Sequence, residues 1–315
     1  MNSKMVLTMD IGGTQSRVAL INDKAQVVKR TSVTTEEGEG YKKVIATIRD
    51  YFSKPELDSV AGIGIAIAGL LRSDSGLLLS SPNMAGWINV PIRQIFSDEF
   101  NLPVYTGNDA SLAAQGEYRY GAAKGLENFV YVTVSTGIGG GLMLGGEMYI
   151  GADGYAGEVG HMTIDPGGPQ CACGMRGCFE AMASGSAIAR EAREKMASGV
   201  SSIMIDMAGG DPGELTAELV ERAARQGDAL AKEVMHNAAV NLGLGLSNLI
   251  VIFDPEAVVV GGGVTKSDDL IFAPARRVVA ERAGCYFQKD VPILKAALGD
   301  DVGLIGAAAM VLDSI

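Results

Sequence analysis

One local pattern occurs twice in this chain and constrains its fold more than any other feature. Residues 5–22, MVLTMDIGGTQSRVALIN, read as an apolar strand, a turn of small residues and a second apolar strand. Residues 129–146, FVYVTVSTGIGGGLMLGG, follow the same grammar. Aligning Thr8 with Thr133 sets Gly12 on Gly137, an offset of 125 residues. A glycine-rich hairpin turn is commonplace by itself. Two at matching positions suggest two α/β lobes of related design, each opening with a hairpin whose turn exposes backbone amides.

Strand and helix patterns alternate between the hairpins. TEEGEGYKKVIATIRDYF reads as helix, SVAGIGIAIAG as a buried strand, PIRQIFSDEF as helix, and LPVYTGND as a strand with polar residues at its end. After Glu180 the helical period dominates, in SAIAREAREKMASG and in a long run from Glu214 to about Leu249. A strand, AVVVGGG, then leads through a helix and a short strand around PILKAA to a closing apolar helix, GLIGAAAMVLDSI. Such alternation favours mostly parallel sheets with helices on their faces. Residues 198–211 fit neither period and are expected to be an insertion or a mobile loop.

With 315 residues, 47% hydrophobic and 20% charged, the chain has material for two well-filled cores. Its net charge of −11 argues against a nucleic-acid partner, which selects a basic footprint. Anionic small molecules are not excluded, because backbone N–H groups and a bound cation supply positive potential locally. The first apolar run is too short for a signal segment, and no stretch reads as a membrane span. A cytoplasmic setting is the expectation, and there clustered cysteines serve more often as metal ligands than as disulfides.

Three glycine turns follow strands: Gly12-Gly13-Thr14, Thr136-Gly137-Ile138-Gly139-Gly140 and Gly261-Gly262-Gly263. None matches a known phosphate-loop pattern cleanly, so each alone is weak. Asp10 precedes the first turn and can hold Mg²⁺ through waters, or simply cap the turn. In TGNDA, Asn108 can bind a hydroxyl while Asp109 takes its proton, although Asn-Asp-Ala by itself reads more readily as a helix N-cap. Cys171, Cys173 and Cys178 follow C-x-C-x4-C, and His161 lies ten residues upstream. Three thiolates and an imidazole suit tetrahedral Zn²⁺, and no C-x-x-C supports a redox couple. Cys285 reads as an ordinary buried cysteine and His236 as structural.

In order along the chain, DIGGT, the PN pair of SSPNMAGW, TGNDA, STGIGGG, GEVGH and CACGMRGCFE resemble the ROK family of sugar kinases. The resemblance runs the length of the chain and is most specific from Gly157 to Ser184. It implies an actin/hexokinase-like (ribonuclease H-like) α/β fold of two lobes with the active site in the cleft between them. A smaller lobe would comprise residues 1–112 with a C-terminal helix at about 301–315. The larger, residues 113–300, would contain the zinc motif. ATP with Mg²⁺ is the implied phosphoryl donor, and Asp109 resembles the catalytic base. Asn83, Asn108, Glu158, His161 and Glu180 match sugar-hydroxyl contacts. His161, Cys171, Cys173 and Cys178 match the ligands of a structural zinc. Gly12, Gly13, Thr14, Thr136 and Gly137 match phosphate loops, with Asp10 beside the first, and Gly262 and Gly263 match positions by the adenosine. A homodimer or homotetramer would be usual for the family.

One departure stands in the first loop: many relatives carry lysine after the threonine, where this chain has Gln15, with Arg17 on the following strand. Glucose is the leading acceptor, with fructose, mannose, allose or an N-acetylated hexosamine as alternatives. ROK repressors carry an additional N-terminal helix-turn-helix, and only nine residues precede Asp10 here. An inactive sugar-binding protein would be expected to lack Asp109 or a phosphate-loop glycine, and the chain has both.

Overall fold

A computed structural model describes residues 4–81, 83–287 and 290–315. The chain opens with β1 (Met5–Ile11), β2 (Gln15–Asn22) and β3 (Val27–Thr34), followed by α1 (Tyr41–Tyr51) and α2 (Lys54–Asp58). Next come β4 (Val60–Ile67), β5 (Leu70–Arg72), β6 (Leu77–Ser80), α3 (Ile92–Phe100), β7 (Val104–Asn108) and α4 (Asp109–Tyr120). A second strand trio follows: β8 (Phe129–Val134), β9 (Ile138–Leu144) and β10 (Glu147–Met148). Five helices come after it, α5 (Phe179–Ala183), α6 (Gly185–Ala197), α7 (Met204–Met207), α8 (Ala217–Arg225) and α9 (Ala229–Phe253). The chain continues through β11 (Ala257–Gly261), α10 (Ala273–Val279), α11 (Cys285–Phe287), β12 (Ile293–Lys295) and α12 (Val302–Ser314).

The duplication seen in the hairpins extends to the sheets. The first is ordered β3-β2-β1-β4-β7 and the second β10-β9-β8-β11-β12. Counting each sheet's own strands along the chain, both read third-second-first-fourth-fifth. In the first sheet β1–β2 and β2–β3 are antiparallel, whereas β1–β4 and β4–β7 are parallel. In the second, β8–β11 and β11–β12 are likewise parallel. Central strands are apolar on both faces, as helix-covered strands must be, while edge strand β3 alternates between half-buried and exposed.

Residue contacts divide the chain into two compact units. The first comprises Met1–Glu127, Gly141–Gly157 and Ala296–Ile315, and the second Asn128–Gly140 and Glu158–Lys295. A break at 112/113 would cut α4, which runs unbroken across that point and lies wholly in the first unit. The first unit's core packs Leu7, Ile63, Ile65 and Phe96 with Val44 and Ile48 of α1, and buries Trp87 completely. Trp87 donates its indole N–H to the Glu36 carbonyl at 2.9 Å, which anchors the loop after β3.

Cys285, expected to be buried, is exposed at the start of α11. Three further local expectations need correction. The TEEGEG half of the first helical segment is turn, because two glycines in four residues oppose helix there, and α1 starts at Tyr41. The run from Glu214 is two helices, broken at Gln226–Gly227, with Asp228 capping α9 by accepting the Ala231 N–H at 2.8 Å. Residues 198–211 are an ordered connection containing α7, with Met204 fully buried and Asp228 accepting the Ile203 N–H. One helix among the described residues, α9, is long and apolar enough to cross a membrane. In this fold it packs within the second unit against α5, α6, α8 and α10.

Candidate active site and metal centre

β1, β4 and β7 run parallel and end at one edge of the first sheet, the edge where α/β sheets bind ligands. Asp10 is the penultimate residue of β1, and Asn108–Asp109 form the junction of β7 with α4. Burial, with the nearby Asp109 charge as the second cause, pushes the Asp10 carboxyl up to about 6, against the opposing pull of Arg17. The Arg17 guanidinium lies 3.9 Å from Asp10 and also donates to the Asp300 carbonyl. Asp109 keeps part of its side chain at the surface, yet desolvation lifts its carboxyl above the usual range. The Ala110 N–H, at 2.9 Å, works in the other direction. Asn108 is the N-cap of α4, its Oδ1 accepting the N–H groups of Ala110 at 3.0 Å and Ser111 at 3.2 Å. The cap occupies the carbonyl oxygen and leaves the amide NH₂ as a donor.

The Gly12–Thr14 turn is fixed from the loop that follows β3. Thr35 donates its hydroxyl to the Gly12 carbonyl at 2.7 Å and its N–H to the Thr14 carbonyl at 3.1 Å, with the Ser16 hydroxyl 2.8 Å from the Thr35 oxygen. Gln15 turns away to donate to Ser32 on the neighbouring strand. A Cβ on Gly13 would overlap the Cβ and backbone carbonyl of Asn83, so glycine alone lets the turn and that backbone meet. Asn83 is exposed and, with Gly13, Thr35, Glu36 and Glu37, lines a cavity of about 350 Å³. Pro82, the other half of the PN pair, lies outside the described residues.

Two supports of this edge gave no signal in the sequence. The first turn of α12 comes up against Asp10, since a Cβ on Gly303 would stand 2.9 Å from the Asp10 Cγ. α12 in turn packs tightly on α4, where Gly116 faces Gly306. Glu117 of α4 is fully buried and accepts the N–H groups of Ala122 at 2.6 Å and of Ala297 and Leu298 at 2.9 Å. A lone glutamate in an amphipathic helix reads as solvent-facing, and two of its three partners are about 180 residues away. Thr35 was hidden for the same reason, being a loop threonine 23 residues from its acceptor.

In the second unit the four candidate metal ligands converge: one donor atom each from His161, Cys171, Cys173 and Cys178, all within 4.8 Å of one another. Cys171 Sγ is 3.7 Å from His161 Nδ1, and Cys173 Sγ is 3.6 Å from Cys178 Sγ. A tetrahedral ion with bonds of about 2.3 Å requires an edge of about 3.8 Å between ligands, so the set fits Zn²⁺. Backbone turns shape it: Cys171 N–H donates to Met175 at 2.7 Å, and Gly174 N–H returns to Cys171 at 3.0 Å. His161 and Glu158 are both exposed and flank one helical turn, Val159–His161. His161 presents Nδ1 to the cluster, which leaves Nε2 for another partner.

Cys178 is the N-cap residue of α5, and that places Glu180 in the helix's first turn. Its Oε2 accepts the Ile138 N–H at 2.9 Å, directly after the Thr136-Gly137 turn. Gly261 pairs with Thr133 on β8, so Gly262 and Gly263 follow beside the strand end that leads into the same turn.

Two sheets of one strand order, each with a glycine turn and polar groups gathered near it, define an α/β protein of the actin/hexokinase-like class. The sequence model of the ROK family matches residues 6–314, and the chain belongs to that family. It is 32% identical over 311 residues to a glucokinase of Thermotoga maritima, covering 98% of both chains. It is also 31% identical to a putative xylose repressor of Caldicellulosiruptor sp., covering 100% of this chain and 79% of that protein. A solved ROK family glucokinase from Streptomyces griseus, in complex with glucose and AMPPNP, matches with a TM-score of 0.85 and 30% identity. That match covers 97% of this chain and 98% of the other.

Proposed function

We propose that the chain is an ATP-dependent hexose kinase, moving the γ-phosphoryl group to the 6-hydroxyl of a hexose, with glucose as the leading acceptor. One observation carries this reading: Asp109 stands at the ligand-binding edge of its sheet with a carboxyl raised by burial. A carboxylate made more basic in this way is suited to take the hydroxyl proton as the hydroxyl attacks. Asn83, Asn108, Glu158, His161 and Glu180 offer the mixed donors and acceptors that sugar hydroxyls need. Backbone amides of the Gly12–Thr14 and Thr136–Gly137 turns receive the phosphates, Gly262 and Gly263 lie by the adenosine, and Asp10 holds Mg²⁺ through waters. Mg²⁺ supplies charge neutralisation on the phosphates. Zinc on His161, Cys171, Cys173 and Cys178 is structural, holding GEVGH and CFE together.

The similarity to a repressor supports a second reading, sugar binding without turnover. A coupled assay of Mg-ATP with glucose, fructose, mannose, allose, N-acetylmannosamine and N-acetylglucosamine separates the two and ranks the acceptors. Absence of turnover with every sugar refutes the kinase reading, and sugar binding in the same preparation then favours the regulator.

A further inference from the structure

The turn that receives phosphate in the second unit is not free-standing. Three hydrogen bonds tie it to the segment that follows the cysteine cluster. Gly185 N–H donates to the Ser135 carbonyl at 2.7 Å, Ser186 N–H to the Thr136 carbonyl at 3.2 Å, and Ile138 N–H to Glu180 Oε2 at 2.9 Å. Only the last reaches an ionised side chain, the stronger kind of acceptor. Gly137 is shaped to this contact: a Cβ there would overlap the same Glu180 carboxylate oxygen. Cys171 Sγ lies 3.9 Å from the other oxygen, Oε1.

We infer that Glu180 is a positioning residue for the phosphoryl-donor turn in addition to its proposed sugar contact, so that nucleotide affinity depends on it even when no sugar is bound. The inference rests on the kinase reading and adds to it a link between the acceptor-side glutamate and the donor-side turn. Oε2 orients the Ile138 amide and with it the Thr136–Gly137 peptide, while Oε1 remains for a hydroxyl. Linkage makes the effect reciprocal: whatever displaces the turn also displaces the carboxylate. Gly137→Ala therefore weakens sugar binding from the donor side.

The test uses the full chain without sugar. Hydrogen exchange over residues 135–140 and calorimetric titration with ADP are compared for wild type, Glu180→Ala, Glu180→Gln and Glu158→Ala. Glu180→Ala should speed exchange in the turn and raise the ADP Kd by about tenfold, the effect of losing one charge-assisted hydrogen bond. Glu180→Gln keeps an acceptor for Ile138 and should restore most of both. Glu158→Ala, a change at the other glutamate proposed to meet the sugar, should leave both within twofold. Unchanged exchange or unchanged ADP affinity in Glu180→Ala overturns the inference, as does an equal effect from Glu158→Ala. If wild type itself binds no ADP, the kinase reading fails and this coupling fails with it, an outcome visible before any variant is compared.

Discussion

Replacing Asp10 with asparagine should make the ligand-free protein more stable at pH 8 while abolishing turnover. Its carboxyl is pushed from 3.8 to about 6, chiefly by burial and then by Asp109, with the side chain 21% exposed. A rise of about 2 units corresponds to about 3 kcal/mol of penalty on the charged form. The folded protein therefore holds this proton more tightly than the unfolded chain does. That contribution to stability is full below 3.8 and is lost as pH rises through about 6. Asparagine keeps the shape without the charge, so the variant escapes the loss. Variant and wild type should match near pH 4, diverge between pH 4 and 6, and differ by up to about 3 kcal/mol above it, equivalent to roughly 5–10 °C in Tm. Arg17 retains its bond to the Asp300 carbonyl in either protein. Thermal melts at pH 4.5 and pH 8, without nucleotide or Mg²⁺, read the difference, and other titrating groups cancel between the two proteins. An Asp10→Asn protein no more stable than wild type at pH 8, or more stable by an equal margin at both pH values, refutes the electrostatic account. Lost activity in a stabilised variant would mark Asp10 as a residue kept for function at a cost to the fold.

Asp109→Asn should abolish turnover yet leave sugar affinity within about tenfold, because the base acts mainly in the transition state; steady-state kinetics with sugar titration checks this, and retention of most of the rate refutes the role. Cys173→Ser should lose zinc, measured by metal analysis, and raise the KM for sugar together; zinc loss with unchanged sugar binding would reduce the cluster to scaffolding. Glu117→Ala leaves three part-buried N–H donors without their acceptor and should cost about 3 kcal/mol in urea denaturation, and a loss below about 1 kcal/mol would show that water replaces the carboxylate.

Much of this architecture is legible because the information is local. Alternating strands and glycine turns revealed two related halves, and the spacing of Cys171, Cys173 and Cys178 pointed to the cluster they form with His161. Asn108 shows where local reading divides: the same residue caps α4 and presents a donor amide, and a tripeptide offers no way to rank those roles. Long-range contacts were invisible. Thr35 pinning Gly12, Gly303 meeting Asp10, and Glu117 gripping residues 297–298 all join segments with no shared pattern. Helix ends were missed where glycines break a run, at TEEGEG and at Gly227.

The clasp between α4 and α12 also orders events during synthesis. The second unit has all its segments once residue 295 has been made, whereas the first lacks Ala296–Ile315 until then. Asp109 begins a helix whose packing partner, including Gly306 opposite Gly116, is among the last parts of this sequence translated. A nascent chain thus carries its cysteine cluster well before its proposed base is packed in place. The proposed base gains this packing partner only with residues 302–314.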